Sequence, residues 1–568
     1  MDRVLALHVI LCLINAAVWA CPDGCTCQDQ AIHCTGLSEF PTAVPSSTST
    51  FYFVKGSLTT LKPEDLTGFS DALQMLVVAD AALKEVLPGT FDSTPNLIRL
   101  GLSDNELRGL PKALFQNIPN LELLNLRSNM FSELHPQWFT QLTEMGRLDL
   151  SKNLFTSIPV ETFHPLVKLQ FLSLSGNNIT QLSNETFKGL SKIKVLRLNK
   201  NRLRDIPDGI WDDLVDLQEL TLQDNYITHL KHDLFSKTLK LQKLFLSNNK
   251  LAALPQGIFQ NLPLLSQISL YENNLESLGP GVFGPMLLQQ LWLYDNKLSH
   301  LEEDTFRNLT DLRLLVLSRN QISHVSPGAF RGLEQLGEVS LHTNLITTLE
   351  DGTFQGLPNL VNISLEHNFI SSLSPGLLKG LHHLGEIDLR NNSFPNLPQK
   401  SLDSLTTANQ VLLQQNPWRC DTDILPLREW LRQHPSKTNQ TLVVCETPFS
   451  LTGEVIAELT DDILAVISST EEPVITSTEK GRKPSTTPTR QTTSSPPVKT
   501  TPASEHKEVT SSGKGDAGTV SHHTSTTLLA IAVVSTAIIS IVIISCVCWR
   551  KSKKGKGNIG RRSKNSVL

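Results

Sequence analysis

Leucine and asparagine recur along this chain in one pattern, L-x-x-L-x-L-x-x-N-x-L, which appears fourteen times with close variants. Within each copy, the central L-x-L alternates apolar and variable positions, as a short strand with one buried face does. The pattern therefore predicts fourteen strands whose central leucines point into a core. Successive asparagines are 24 residues apart, except for one step of 23 residues from 273 to 296. They are Asn105, Asn129, Asn153, Asn177, Asn201, Asn225, Asn249, Asn273, Asn296, Asn320, Asn344, Asn368, Asn392 and Asn416.

A fixed period in this range, with this consensus, is typical of leucine-rich repeats stacked into a solenoid. We expect each asparagine to bond backbone groups of its own turn and of the adjacent turn, because an unpaired buried group costs ~1–3 kcal/mol. A second column, on the far side of each coil, is aromatic and is expected to be core. Its members are Phe91, Phe115, Phe139, Phe163, Phe187, Trp211, Phe235, Phe259, Phe283, Phe306, Phe330 and Phe354.

The predicted fold class is an α/β solenoid, a horseshoe with a parallel concave sheet, disulfide-stapled caps at both ends and a single transmembrane helix. Phe51–Val54 is predicted to be the first strand. A degenerate repeat follows it, with Ala81 in place of the asparagine. The 23-residue step is interpreted as a one-residue deletion near Pro285 and Met286, in the outer segment rather than in the strand. A small local change in curvature is the expected consequence.

Composition and apolar runs divide the chain into seven segments. The predicted segments are a signal peptide (1–20), an N-terminal cysteine cap (21–50), the repeats (51–415), a C-terminal cap (416–465), a Ser/Thr/Pro-rich stalk (466–527), a transmembrane helix (528–548) and a basic cytoplasmic tail (549–568). An N-terminal membrane anchor is the weaker alternative for the first segment, because its apolar run is short. The basic residues after 548 disfavour a lipid-anchor signal and place the tail in the cytoplasm.

Charge and motif content exclude several functions. The chain carries −5 in total, and eight Lys or Arg in the tail leave −13 on the rest, so nucleic acid is not an expected partner. The sequence contains no nucleotide-binding loop, zinc-ligand spacing or nucleophile motif. We therefore expect no catalysis, no cofactor and no metal site, and a long open surface favours binding instead.

Six of the nine cysteines fall in the predicted extracellular part, at the two ends of the array. They are Cys21, Cys25, Cys27, Cys34, Cys420 and Cys445. Terminal coils lack a neighbour that would cover their apolar edge, so a short cap there is commonly cross-linked. The four N-terminal cysteines allow three connectivities, and their spacing does not choose among them.

The array, the spacing Cys21-x3-Cys-x-Cys-x6-Cys34 and the segment Asn416-Pro-Trp-Arg-Cys420 together resemble a vertebrate group of extracellular leucine-rich-repeat proteins. Platelet glycoprotein V and the non-catalytic subunit of carboxypeptidase N belong to that group. The resemblance spans residues 21 to about 445 and implies N-terminal disulfides Cys21–Cys27 and Cys25–Cys34. Many C-terminal caps of such proteins have Cys-x-Cys, but Thr422 stands at the second position here, which leaves Cys420–Cys445 as the available pair.

Strand alternation identifies the residues of the predicted concave face. Candidate ligand-binding residues there are four aromatic side chains, Phe245, Tyr271, Trp292 and Tyr294, and three basic ones, Arg127, Arg147 and Arg197. Tryptophan and tyrosine at adjacent exposed positions dominate the energetics of many interfaces. The alternative is that these aromatic residues merely cover the sheet. Toward the C-terminal end the same face turns acidic, with Glu338, Glu366, Glu386 and Asp388 against Arg390.

Six N-x-S/T sequons are candidate glycosylation sites: Asn178, Asn184, Asn308, Asn362, Asn391 and Asn439. A glycan on Asn362 would cover part of the concave face, so a ligand is expected to use its N-terminal and central part, or the flanks. The C-terminal sequence Ser566-Val-Leu568 has a form that PDZ domains bind.

These features predict a single-pass plasma-membrane protein with its N-terminus outside the cell. We expect recognition or adhesion, with an extracellular or cell-surface protein, such as a matrix component, as the partner. The alternatives are a regulatory or carrier subunit of an extracellular enzyme, and a co-receptor in innate recognition.

Overall fold

Short parallel strands, one from each repeat, pair side by side into a single long sheet in the computed structural model, which describes residues 21–42, 44–438 and 442–464. The predicted signal peptide, stalk, transmembrane segment, tail and PDZ-binding terminus lie outside these residues, as does Asn439. Among the described residues, none of the helices has both the length and the apolar character needed to cross a bilayer.

Most strands contain only three residues, because each repeat turns immediately after its central leucines. In chain order they are β1 (Cys25–Gln28), β2 (Ala31–Thr35), β3 (Thr50–Val54), β4 (Thr60–Leu61), β5 (Met75–Ala79), β6 (Glu85–Val86), β7 (Arg99–Gly101), β8 (Leu123–Asn125), β9 (Arg147–Asp149), β10 (Phe171–Ser173), β11 (Val195–Arg197), β12 (Glu219–Thr221), β13 (Lys243–Phe245), β14 (Gln267–Ser269), β15 (Gln290–Trp292), β16 (His300–Leu301), β17 (Leu314–Val316), β18 (His324–Val325), β19 (Glu338–Ser340), β20 (Asn362–Ser364), β21 (Glu386–Asp388) and β22 (Gln410–Leu412).

Eighteen of these strands form the long sheet. All its pairings are parallel except β1 with β2, which is antiparallel at the N-terminal edge. The central leucines lie in register from strand to strand, as Leu172 pairs with Leu148 and Leu196 do on either side. Two smaller sheets, β4 with β6 and β16 with β18, lie outside it. The strand predicted at Phe51–Val54 is present as β3, but it is not the first strand, because β1 and β2 of the N-terminal cap precede it and β2 pairs with it in the same sheet.

The fourteen asparagines form a buried ladder that joins neighbouring repeats, as expected. Asn249 represents the pattern: its side-chain N–H groups donate to the carbonyls of Leu222 (3.0 Å), Leu246 (3.0 Å) and Ser247 (3.2 Å). Its side-chain oxygen accepts the N–H of Ile227 at 3.0 Å. Because two of these four partners belong to the preceding repeat, each asparagine holds two coils together.

The aromatic column is core, in agreement with the sequence-based expectation. All twelve side chains are at most 1% exposed. Most neighbours stack along the solenoid, for example Phe163 on Phe187 at 6.3 Å and Phe330 on Phe354 at 5.7 Å between ring centroids. The column therefore supplies a continuous apolar interior opposite the sheet.

Helices contribute less than the predicted α/β class implies. Among the described residues the α-helices are α1 (Pro63–Leu66), α2 (Gln399–Leu405) and α3 (Leu425–Gln433). Short 3₁₀ turns occur at Ser70–Ala72, Pro136–Trp138, Thr422–Ile424, Pro435–Thr438, Phe449–Leu451 and Ile456–Glu458. The outer side of the regular repeats is built mainly from turns, so the architecture is a β-solenoid with helices toward its ends. Apart from these helices and 3₁₀ turns, the outer segments of the described repeats return the chain in tight turns.

Disulfides close both caps with the expected pairings. Cys21 bonds Cys27 and Cys25 bonds Cys34, so the connectivity that the resemblance implied is confirmed. Cys420 bonds Cys445 across the C-terminal cap. In that cap α3 buries Leu427 and Trp430, and Trp418 stacks on Phe394 of the preceding repeat at 6.1 Å.

The 23-residue step is absorbed outside the sheet, as predicted. Strands β14 and β15 keep their register, with Ile268 opposite Leu291 and Ser269 opposite Trp292. The outer segment is drawn against its neighbour instead: a Cβ on Gly284 would lie 2.5 Å from the carbonyl oxygen of Gln260. This contact is with backbone, which cannot rotate away as a side chain would. The shortened repeat therefore requires glycine at 284.

We expect Gly284→Ala to lower the free energy of unfolding by about 1–3 kcal/mol, because the added methyl group must displace backbone in a packed segment. Guanidinium unfolding followed by circular dichroism measures the change. Gly279→Ala is the matched control, since no atom lies within 4 Å of its Cβ position. Equal stability of the two variants would contradict the close-approach explanation.

Candidate functional site

The outward side of the long sheet, here called the sheet face, presents three side chains from each repeat. In the repeat that contains β13, these are Lys243, Phe245 and Ser247, while Leu244 and Leu246 point into the core and are fully buried. Corresponding residues of adjacent repeats form three columns, because the strands are parallel and in register. The columns are numbered in chain order, so Lys243 lies in the first, Phe245 in the second and Ser247 in the third. This face corresponds to the predicted concave face, and all seven candidate ligand-binding residues lie on it.

Phe245, Tyr271, Trp292 and Tyr294, here called the aromatic cluster, come from three adjacent repeats. The rings of Tyr271 and Tyr294 stack, with centroids 4.6 Å apart and planes within 6° of parallel. In the neighbouring column, Ser269 separates Phe245 from Trp292 and is only 3% exposed. All four aromatic side chains are half-buried, so each still offers apolar surface to solvent.

The phenol of Tyr294 in the aromatic cluster remains a neutral hydrogen-bonding group. Burial raises the pKa of the Tyr294 phenol above its ordinary value, and the adjacent Tyr271, Glu272 and Asp295 raise the pKa further. A tyrosine that stays protonated joins an apolar ring to a hydroxyl that donates and accepts, which suits it to protein contacts.

The three basic candidates come from repeats that lie two to five strands from β13, the nearest strand of the aromatic cluster. Arg127 donates to the hydroxyl of Ser151 at 3.3 Å. The guanidinium of Arg147 lies over the ring of Phe171, with its carbon 3.6 Å from the ring centroid. Arg197 approaches the same ring at 5.4 Å and bonds the carboxylate of Glu219 at 2.9 Å. The structure therefore gathers the arginines in one place, separate from the aromatic cluster.

Phe171 is a further residue of the sheet face that is not among the sequence-based candidates. It occupies the first column of the sheet face on β10, opposite Arg147 of β9. The same alternation rule that selected Phe245 would have selected it. It is only 9% exposed, because the arginine side chains lie over it.

At the acidic end of the sheet face, part of the negative charge is neutralised by an arginine on the same face. Asp388 is 5% exposed and forms an ion pair with Arg390, and this carboxylate raises the pKa of the guanidinium. Glu338, Glu366 and Glu386 are half-buried on the same face. In the part of the chain that the structure describes, no group of three or more His, Cys, Asp or Glu side chains is placed to hold a metal ion.

The sequons differ in exposure. Asn184 and Asn308 are exposed, whereas Asn178, Asn362 and Asn391 are half-buried. Asn362 lies in the first column of the sheet face on β20, where a glycan would stand in front of the neighbouring strands.

An asparagine ladder, an aromatic core column and an open parallel sheet together define a leucine-rich-repeat solenoid, a class that typically serves as a protein-binding scaffold. A family model described as leucine rich repeat matches residues 71–131, 119–179, 172–227, 216–275, 239–298, 286–338 and 335–394. These segments cover more than half of the chain. The chain therefore belongs to the leucine-rich repeat family.

Sequence relatives match over short stretches. Mouse nephrocan is 32% identical over 120 residues, which is 21% of this chain and 23% of nephrocan. The rat platelet glycoprotein Ib beta chain is 39% identical over 59 residues, 10% of this chain and 29% of that protein. The matches thus span less than a third of the length of these relatives.

Two solved structures share the fold over most of the chain. The structure of the Drosophila Toll–Spatzle complex superposes with a TM-score of 0.60 at 23% identity, covering 74% of this chain and 61% of that one. A leucine-rich-repeat protein of Leptospira interrogans superposes with a TM-score of 0.50 at 25% identity, covering 70% and 93%.

Proposed function

We propose that this chain is a single-pass cell-surface recognition or adhesion protein that binds a protein ligand, a matrix component or another surface molecule, through its sheet face. The observation that carries the proposal is the aromatic cluster, in which Tyr271 and Tyr294 stack beside Trp292 and Phe245 on an open surface. Half-buried aromatic rings with polar tips are the side chains that contribute most at protein interfaces.

The arrangement of these rings favours contact with a partner over a purely covering role. A ring that only covered the sheet could lie on any strand, whereas these four occupy adjacent repeats and two columns. The stacked tyrosines are ordered before any ligand arrives, which lowers the entropy lost on binding. In the second column, Phe245 is flanked by the small side chains Thr221 and Ser269, which leaves its ring accessible.

The cell-surface part of the proposal rests on the sequence. The signal peptide 1–20, the apolar segment 528–548 and the basic tail support a single-pass topology with the repeats outside. Four array segments and the cap are similar to leucine-rich repeat-containing protein fifteen: Gly281–Met286, Leu291–Asn296, Val316–Ile322, Ser340–Asn344 and Asn416–Arg428. The match to a platelet glycoprotein chain is consistent with this type of protein.

A glycan on Asn362 would direct ligands toward the aromatic cluster and the arginines. Asn362 is in the same column as Glu338 and Glu386 on the adjacent strands, so a glycan there would shield the acidic end. A cell-surface ligand would then use the central and N-terminal sheet face.

Replacing Trp292 and Tyr294 together by alanine is expected to weaken ligand binding about tenfold or more, because interface tryptophan and tyrosine side chains often contribute over 2 kcal/mol each. The measurement is binding of the purified full-length chain to matrix-coated surfaces and to intact cells. Tyr226→Ala with Phe369→Ala is the matched control, since both side chains are at least 50% exposed outside the sheet face. Undiminished binding by the first variant would remove the aromatic cluster from the proposal.

The proteins captured by the full-length chain distinguish this function from two others. A peptidase among them would favour the carrier-subunit alternative. A signalling receptor would favour a co-receptor in innate recognition, for which the shared fold with Toll, in its complex with Spatzle, is the motivating observation. A matrix or adhesion protein would support the function proposed here.

A further inference from the structure

Five basic side chains surround one depression on the sheet face, here called the basic depression. It has a volume of about 440 Å³ and spans β8 to β11. Its basic residues are Arg127, Arg147, Lys152, Arg197 and Lys200, and Asp149 is the one acid among the residues that line it. The local charge is therefore +4, in a chain whose total charge is −5.

Strand β10 forms the floor of the basic depression because its outward side chains are short or covered. Ser173 and Ser175 occupy the second and third columns, and Phe171 occupies the first, under Arg147. The neighbouring strands carry long basic side chains on both sides. Short residues between long ones leave a space that is open to solvent.

Most of the positive charge in the basic depression has no acidic partner. Among the described residues, Arg197 is paired with Glu219, but the other four basic side chains form no ion pair with a carboxylate. Asp149 accepts the N–H (2.9 Å) and the hydroxyl (2.6 Å) of Ser151 instead. Four of the five cations are thus free of a carboxylate partner and can bind a charged group from outside.

Two of the guanidinium groups converge on a single ring. The carbons of Arg147 and Arg197 lie 3.6 Å and 5.4 Å from the centroid of Phe171, so they are at most 9.0 Å apart. Cation–π contacts hold both groups in place. Their mutual repulsion is relieved when an anion binds both of them, and a planar guanidinium binds carboxylates with two parallel hydrogen bonds. Nε and Nη2 of Arg197 already bond Glu219, so its Nη1 side and the guanidinium of Arg147 are the groups available to an incoming carboxylate.

We propose that the basic depression binds an acidic segment of a protein ligand, with glutamate or aspartate side chains placed between Arg147 and Arg197. This inference rests on the proposed function and names the chemistry of the partner. The size of the basic depression favours a short peptide segment over a long sulfated polysaccharide. Four strands span only about 14 Å, and Glu219 on β12 ends the basic region on one side.

The test uses the purified full-length chain and a fluorescein-labelled peptide of alternating glutamate and glycine, followed by fluorescence anisotropy. We expect binding that weakens as salt is raised, and no binding of the same peptide with glutamine in place of glutamate. Arg147→Gln with Arg197→Gln is expected to weaken binding about tenfold or more, the effect of losing one or two charge-assisted hydrogen bonds.

Matched variants separate this effect from loss of charge or of folding. Lys243→Gln with Lys250→Gln removes the same charge from exposed positions outside the basic depression, and should leave binding unchanged. Arg147→Lys with Arg197→Lys keeps the charge without the paired hydrogen bonds and should bind with intermediate affinity. Unaltered guanidinium unfolding of all three variants confirms that they fold.

Three results would overturn the proposal: no binding of the glutamate peptide by the unmodified chain, equal binding by the Arg147→Gln, Arg197→Gln variant, or binding of a heparin oligosaccharide at these arginines with no binding of the peptide. The Trp292→Ala, Tyr294→Ala variant should bind the peptide normally. Failure of the basic depression and failure of the aromatic cluster are therefore distinguishable.

Discussion

Replacing Asn249 by alanine is expected to lower the free energy of unfolding by about 3–5 kcal/mol, because it leaves buried backbone groups of two repeats unpaired. The carbonyls of Leu222, Leu246 and Ser247 lose a donor, and the N–H of Ile227 loses its acceptor. Asn249 is itself 1% exposed, so water cannot replace these bonds without opening the turn. In a repeat protein the damage should concentrate at the interface between the two affected coils.

Hydrogen exchange measured by mass spectrometry, together with guanidinium unfolding, would test this expectation. Peptides that contain Ile227 should lose protection, while those near the C-terminal cap should not. Asn117→Ala is the matched control: Asn117 is exposed, and its side-chain amide donates to the side chain of Asp92 at 2.9 Å. A loss of stability no larger than that of the control would show that the ladder does not hold the coils together.

Removing the Cys420–Cys445 disulfide by serine substitution at both positions is expected to cost about 3–4 kcal/mol. The bond closes a loop with a sequence separation of 25 residues, and long closed loops restrict the unfolded chain most. Both cysteines are nearly fully buried, so the substitution also introduces hydroxyl groups into the cap. The cap covers the end of the core, where Trp418 stacks on Phe394.

The N-terminal pair Cys21 and Cys27 gives an internal comparison. Its sequence separation is 6, so the same loop-closure argument predicts that serine substitution at both positions lowers the free energy of unfolding by less, about 2 kcal/mol. Thermal unfolding of both double variants, with exchange protection of the segment 389–418, would measure the difference. A C-terminal variant as stable as the N-terminal one would mean that loop closure does not determine the stability of this cap.

Much of the core was predictable because it is periodic. The leucine pairs, the buried asparagines and the aromatic column from Phe91 to Phe354 follow from spacing alone, since each repeats the same environment every 24 residues. The cap disulfides are different: spacing left three connectivities open, and only the resemblance favoured the pairing that the structure confirms.

The turn before each ladder asparagine was not predictable from local preference. The fourteen residues that precede the asparagines all have positive φ: Asp104, Ser128, Lys152, Gly176, Lys200, Asp224, Asn248, Glu272, Asp295, Arg319, Thr343, His367, Asn391 and Gln415. Glycine occupies one of these positions, and the β-branched Thr343 occupies another at φ 57°. Such a conformation is unfavourable for Thr343 by itself, so the bonds of the adjacent asparagine must impose it.

The candidate sites also combine features that the sequence predicts with features that only the structure shows. Strand alternation alone placed Trp292, Tyr294 and the arginines on one face, because side chains of a strand alternate between core and solvent. The sequence by itself therefore determined the solenoid, its buried columns and the composition of its open face. Only the tertiary structure stacked Tyr271 on Tyr294 and brought Arg147 and Arg197 over Phe171. These pairs lie 23 to 50 residues apart in the chain, and contact between them depends on the rotamers and register that neighbouring repeats impose on one another.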